Sequence, residues 1–119
     1  MKYLLLIYEN EASWAGLSEA EQGKVFQEYM DYTKRIRTSA NYLAGEALQP
    51  VASATTVRVK NGKTLTTDGP FAETREQLGG FYMVEARDLD EAIGLAAGIP
   101  GARTGSIEVR PIMPTPSPD

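Results

Sequence analysis

"TTVRVKNGKTLTTDGPFAETREQLGGFYMVEA", Thr55 to Ala86, is the stretch on which the fold turns. Asn61-Gly62 suits a two-residue type I′ turn, because both residues tolerate the left-handed backbone that such a turn demands. The turn sets the register: Lys60 faces Lys63, Val59 faces Thr64 and Val57 faces Thr66. Side chains alternate along a strand, so Val57, Val59, Thr64, Thr66 and Asp68 share one face, while Arg58, Lys60 and Lys63 take the other. Gly69-Pro70 ends the hairpin after Asp68. Phe81 to Ala86, rich in strand formers, then reads as a further strand.

Working outward, "YLAGEALQP" before the hairpin is a short strand interrupted by Gly45. Ahead of it, Val25, Phe26, Tyr29, Met30, Thr33, Ile36 and Ala40 recur at spacings of three and four, which predicts an amphipathic helix over about Glu19 to Ala40. Ser18 and Glu21 have the form of a capping box at its start. Lys34, Arg35 and Arg37 sit near its end, where the helix dipole favours cations. Tyr3 to Tyr8 is apolar on both faces, as in a strand near the centre of a sheet, and "ENEASWAGL" reads as the loop behind it. On the far side, Asp88 to Glu91 starts a helix with the apolar stripe Leu89, Ala92, Ile93, Ala96 and Ala97. "IPGARTG" stops it, and "SIEVRPIM" is a last strand. "PTPSPD" reads as an extended, disordered stub, which leaves one domain over 1–112 and a Pro-rich tail over 113–119.

The predicted order is β-α-β-hairpin-β-α-β. That is an α+β, ferredoxin-like βαββαβ arrangement with an inserted β-hairpin. Two helices on one side of a sheet leave its other face open, and a second copy of the chain is the simplest cover. A homodimer is therefore expected.

Composition narrows the chemistry. The 119 residues carry a net charge of -4, which speaks against a general nucleic-acid binder. There is no cysteine and no histidine. Disulfides, thiolate catalysis, imidazole bases and His- or Cys-ligated zinc are all excluded. The acids lack the spacing of a calcium loop, so no metal and no cofactor is expected. "MKYLLLIYE" is too short for a membrane span and lacks the form of a signal peptide, so a cytoplasmic protein without membrane attachment is expected.

"MKYLLLIY", "YLAGEALQP", "ATTVR", "DGPFAETREQLGGFYMVEA", "DLDEAIGLAAGIP" and "GSIEVRPI" together resemble the YCII-related family, in its DGPF-domain branch. The resemblance runs in order from Met1 to Ile112. It implies a dimeric α+β barrel made from two ferredoxin-like subunits, in a family of small bacterial proteins mostly of unknown function. It also implies a regulatory setting, since such members are often linked with extracytoplasmic-function sigma factors. Some relatives are thought to use a histidine and an aspartate in a cleft. The aspartate corresponds to Asp68; the histidine has no counterpart in this chain.

Asp68 is accordingly the candidate catalytic residue, a carboxylate at a strand end where burial or a second acid would raise its pKa for proton transfer. The same position also fixes a Gly-Pro turn through backbone bonds. Arg75 can clamp a carboxylate or phosphate bidentately, or form a surface ion pair. Glu73 follows Pro70 at what reads as a short turn or helix start, and is a ligand-binding candidate beside it. Glu46 either pairs with Arg110 or Arg58 or lines a cleft with Asp68. Tyr8, with Trp14, flanks the loop after the first strand and can wall a small pocket. Two functions remain open: a dimeric module binding a small molecule or a protein partner, or an isomerase- or lyase-like enzyme using Asp68 on an acidic small molecule.

Overall fold

The computed structural model describes residues 1–118. The chain runs β1 (Lys2–Glu9), α1 (Glu11–Ala15), α2 (Glu19–Thr38), β2 (Tyr42–Ala47), β3 (Thr55–Lys60), β4 (Lys63–Asp68), β5 (Gln77–Glu85), α3 (Leu89–Ala97) and β6 (Ser106–Pro111). Single 3-10 turns lie at Val51–Ser53 and Pro100–Arg103. Four strands form one antiparallel sheet in the order β2-β5-β1-β6, and β3 and β4 form a separate two-stranded sheet. This is an α+β architecture, compatible with a ferredoxin-like fold carrying an inserted hairpin. The Pro-rich tail predicted over 113–119 includes Asp119, which lies outside the described residues.

Local chemistry accounts for the elements. The hairpin pairs Lys60 with Lys63, Val59 with Thr64 and Val57 with Thr66, and both turn residues have positive φ, 51° at Asn61 and 76° at Gly62. The Ser18 hydroxyl accepts the Glu21 amide at 3.1 Å while Glu21 accepts the Ser18 amide at 3.0 Å, so two otherwise orphaned donors at the start of α2 are satisfied reciprocally. The Asp88 carboxylate caps α3 by accepting the Glu91 amide at 2.9 Å, while Glu91 accepts the Arg87 amide at 3.0 Å.

Some boundaries differ from the sequence reading. Residues read as a loop after β1 hold α1, nucleated by the Asn10 side chain, which accepts the Ala12 amide at 2.9 Å. Helix α2 stops at Thr38 because Ala40 turns to φ 64°, and the Asn41 amide then closes back on the Ile36 carbonyl. The segment after Pro70 forms bends rather than a helix start, and β5 begins at Gln77, four residues ahead of Phe81. The β1 ladder explains the early start, since Tyr8 and Glu9 pair with Leu78 and Gln77 across a bulge.

The core lies on one side of the sheet, where Tyr3, Leu5, Ile7, Tyr82 and Val84 meet Tyr32 and Ile36 of α2 and Ala92 and Ala96 of α3. Cross-strand partners point to the same side of a sheet. Leu4, Leu6, Phe81 and Met83 therefore crowd the opposite face, where they remain half-exposed. The accessible surface is 8682 Å² for 13.0 kDa, whereas a compact monomer of that mass exposes roughly 6300 Å². The Cα radius of gyration of 16.5 Å likewise exceeds the ~13.5 Å of a compact domain. The chain is a slab of 48 × 46 × 21 Å, with hairpin and open sheet face contributing surface that a compact domain would hide.

Candidate functional site

A cavity of about 870 Å³ opens between α2 and the β2–β5 half of the sheet. Its existence follows from side-chain size. On the helix-facing side Ala47 of β2 stands opposite Gly80 of β5, and Gly45 stands opposite Tyr82, so the floor is made of small residues beside the Tyr82 ring. Two of these positions have no room for more: a Cβ at Gly45 would stand 2.7 Å from the Tyr82 ring, and one at Gly80 would stand 2.9 Å from the Glu46 carbonyl.

Helix α2 supplies the roof. Val25, Phe26, Tyr29, Thr33 and Arg37 recur every three or four residues along one stripe, and all five line the cavity. From Val25 to Arg37 the stripe is ~18 Å long. Trp14 of α1 closes one end, its ring edge-on to Phe26 with centroids 5.3 Å apart. At that end Gln77 accepts the Glu11 amide at 3.0 Å and Glu11 accepts the Val51 amide at 3.0 Å, which ties α1, β5 and the turn after β2 together. The other end holds Arg37, whose guanidinium lies over the Tyr42 ring at 4.6 Å.

The polar groups inside are ordered by a short relay. The Thr33 hydroxyl donates to the Tyr29 carbonyl at 2.8 Å and lies 2.7 Å from the Tyr82 hydroxyl. A threonine has one proton to give, and it is committed to the carbonyl, so Tyr82 must donate to Thr33. The Tyr29 hydroxyl accepts the Gly101 amide at 3.2 Å. Burial, and after it the charge of Glu9, pushes Tyr29 well above the ordinary phenol value of 10.0. Burial also raises Tyr82, against the pull of its Thr33 bond and of Arg37. Both phenols therefore hold their protons at neutral pH. They are hydrogen-bonding groups, not bases.

Of the residues singled out from sequence, Glu46 borders this cavity, opposite Phe81 on the neighbouring strand. Arg110 pairs with Glu108 rather than with Glu46. Asp68 ends β4 opposite Thr55, exposed, and does not line the cavity. Its turn is closed by others: the Gly69 amide donates to the Ala54 carbonyl at 2.7 Å, and the Thr56 hydroxyl donates to the Gly69 carbonyl at 2.9 Å. Glu73 and Arg75 are exposed in the bends between β4 and β5. Tyr8 faces Leu78 and Ser106 on the open side of the sheet, whereas Trp14 does wall the cavity.

Tyr29, Thr33, Arg37 and Tyr82 are the site residues that sequence alone did not single out. Their one sequence signal is Thr33, a hydroxyl inside an otherwise apolar helical stripe. No helix among the described residues is long and apolar enough to cross a membrane.

Comparison with known proteins adds two findings. The YCII-related domain model matches residues 1–116. An uncharacterized protein of Rhizobium meliloti (strain 1021) is 39% identical over 115 residues, which cover 94% of this chain and 92% of that protein.

Proposed function

We propose, for a chain that belongs to the YCII-related domain family, that it is a homodimeric module binding a small, largely apolar molecule in the groove between α2 and the sheet. One observation carries this reading: a cavity of about 870 Å³, within the usual size range of ligand sites, whose two phenols, the buried Tyr82 and the half-buried Tyr29, are both kept protonated. The carboxylates at its far end are engaged as well. Glu11 accepts the Val51 amide, and Glu9 accepts the Thr104 hydroxyl at 3.1 Å. With no histidine in the chain, such a groove is equipped to hold a guest rather than to move its protons.

The excess surface and the half-exposed Leu4, Leu6, Phe81 and Met83 support the dimer, which would close the open face against its own copy and complete a two-sheet barrel. The sequence resemblance supports a regulatory setting beside a sigma factor, with groove occupancy as the signal.

The test uses 2-naphthol as a minimal apolar probe. Trp14 is the only tryptophan, so its indole N–H gives one assignable amide-type NMR peak at the mouth of the groove. Saturable movement of that peak is the expected result; a peak that stays fixed up to the solubility of naphthol overturns the proposal. Asp68→Asn should leave the titration within about twofold of wild type, since Asp68 does not line the cavity.

A further inference from the structure

The unused valences inside the groove specify its guest more closely. We infer that the groove takes a planar aromatic carboxylate carrying a ring hydroxyl, with the carboxylate on Arg37 and the hydroxyl donating to Tyr82. This inference rests on the groove being a binding site and adds the chemical class of what it binds.

The anionic end follows from Arg37. Its guanidinium makes no ion pair among the described residues. The cation–π contact with Tyr42 at 4.6 Å uses none of the guanidinium N–H groups, and these suit a bidentate acceptor. The acids at the opposite end, Glu9 and Glu11, already accept bonds from Thr104 and Val51, and like charge repels a carboxylate from them. Glu46 borders the cavity as well, and Arg37 is the one cationic side chain among its described lining residues, so an anion is directed to Arg37.

The hydroxyl follows from the direction of the relay. Tyr82 spends its proton on Thr33, and Thr33 spends its own on the Tyr29 carbonyl. What Tyr82 offers a guest is lone pairs, so the guest must donate there. Thr33 and Arg37 are one helical turn apart, ~6 Å between Cβ atoms, and the length of the arginine side chain extends that span to one or two fused aromatic rings between a hydroxyl and a carboxylate.

The planar shape follows from the walls. The small residues Ala47 and Gly80, beside the Tyr82 ring that covers Gly45, admit a flat face at close range, and Phe26 and Trp14 complete an apolar slot beyond the polar end. Aliphatic acids of equal volume would lose that face-to-face contact.

Calorimetric titration at neutral pH with 6-hydroxy-2-naphthoate, 2-naphthoate and 2-naphthol separates the claims. The hydroxynaphthoate should bind about tenfold or more tighter than 2-naphthol, the value of one charge-assisted hydrogen-bonded pair. Arg37→Met should erase that advantage. Arg37→Gln, which keeps a planar group over Tyr42, repeats the test should the methionine variant lose helix content. Tyr82→Phe should narrow the gap between 6-hydroxy-2-naphthoate and 2-naphthoate. If 2-naphthol binds as tightly as either acid, or Arg37→Met leaves the acid preference intact, the ligand class is wrong and the groove reading survives. If none of the three binds, the groove reading itself falls.

Discussion

Leu6→Glu should split the dimer into folded protomers. Leu6 sits on the central strand β1, between Phe81 of β5 and Glu108 of β6, on the side of the sheet turned away from the helices. The protomer's own core therefore has little to lose from the change. A two-fold interface brings the same patch to both sides, so a single substitution acts twice. Each carboxylate would be buried without a partner at a cost of about 3 kcal/mol, or ~6 kcal/mol for the pair. That weakens association by roughly ten-thousand-fold. The accessible surface exceeds that of a compact monomer by roughly 2300 Å². Even if half of this belongs to the hairpin and the C-terminal residues, the two protomers together would bury about 2000 Å² or more, the lower bound for obligate dimers. Light scattering at micromolar concentration should then give twice the 13.0 kDa protomer mass for wild type and 13.0 kDa for the variant, with unchanged far-UV circular dichroism. A wild type that scatters as a single protomer refutes the dimer. A variant that stays dimeric refutes the choice of face.

Thr33→Val leaves the Tyr82 proton without its acceptor in a residue only 8% exposed, at a cost of about 1–3 kcal/mol, and should lower Tm by roughly 4–12 °C; an unchanged melting curve would mean that the relay contributes nothing. Gly80→Ala puts a Cβ 2.9 Å from the Glu46 carbonyl, a backbone atom on the adjacent strand, and should destabilise by about 1–3 kcal/mol in denaturant titration, with an unaltered midpoint counting against so close an approach. Glu21 is held below the ordinary carboxylate value of 4.5, first by the Ser18 amide and then by the Ser18 hydroxyl. Its contribution is therefore complete above pH 4.5 and fades as pH falls through the lower folded value. Glu21→Gln keeps a bond to the Ser18 amide without titrating, so helix content on acidification below pH 4.5 should fall less steeply than in wild type; superimposable curves would show the capping carboxylate to be irrelevant.

The elements that sequence discloses are those fixed by short-range chemistry. Asn61-Gly62 forces left-handed backbone, and that alone sets every pair of the β3–β4 ladder. Ser18 with Glu21, and Asp88 with the Glu91 amide, mark where helices begin because orphaned amides sit within three residues of their acceptors. Helix α1 escapes such reading. Five residues complete too few turns for an apolar period to show, and the cap at Asn10 is the one local cue. The early start of β5 escapes it too, since Gln77 and Leu78 are drawn into the ladder by Glu9 and Tyr8 from the far end of the chain.

The groove is hidden for a different reason. Tyr29 and Thr33 belong to a stripe that any amphipathic helix would bury, and Arg37 continues it into the last turn. Whether a stripe meets packed side chains or empty space depends on what stands opposite, and here the answer lies in Ala47 and Gly80, paired across strands that the whole hairpin separates in sequence. A glycine against a helix-facing stripe has two meanings, a close approach of backbones or an unfilled space, and Gly80 has both. Gly80 lets β2 and β5 close on each other, and the side chain it lacks is missing from the cavity floor. The residue that sequence marks most strongly for chemistry, Asp68, belongs to an exposed hairpin. The residues that shape the cavity look, one by one, like core. What marks the groove in the sequence is the departure of a helical stripe from apolarity at Thr33 and Arg37, a signal that shows only once the strands opposite are in place.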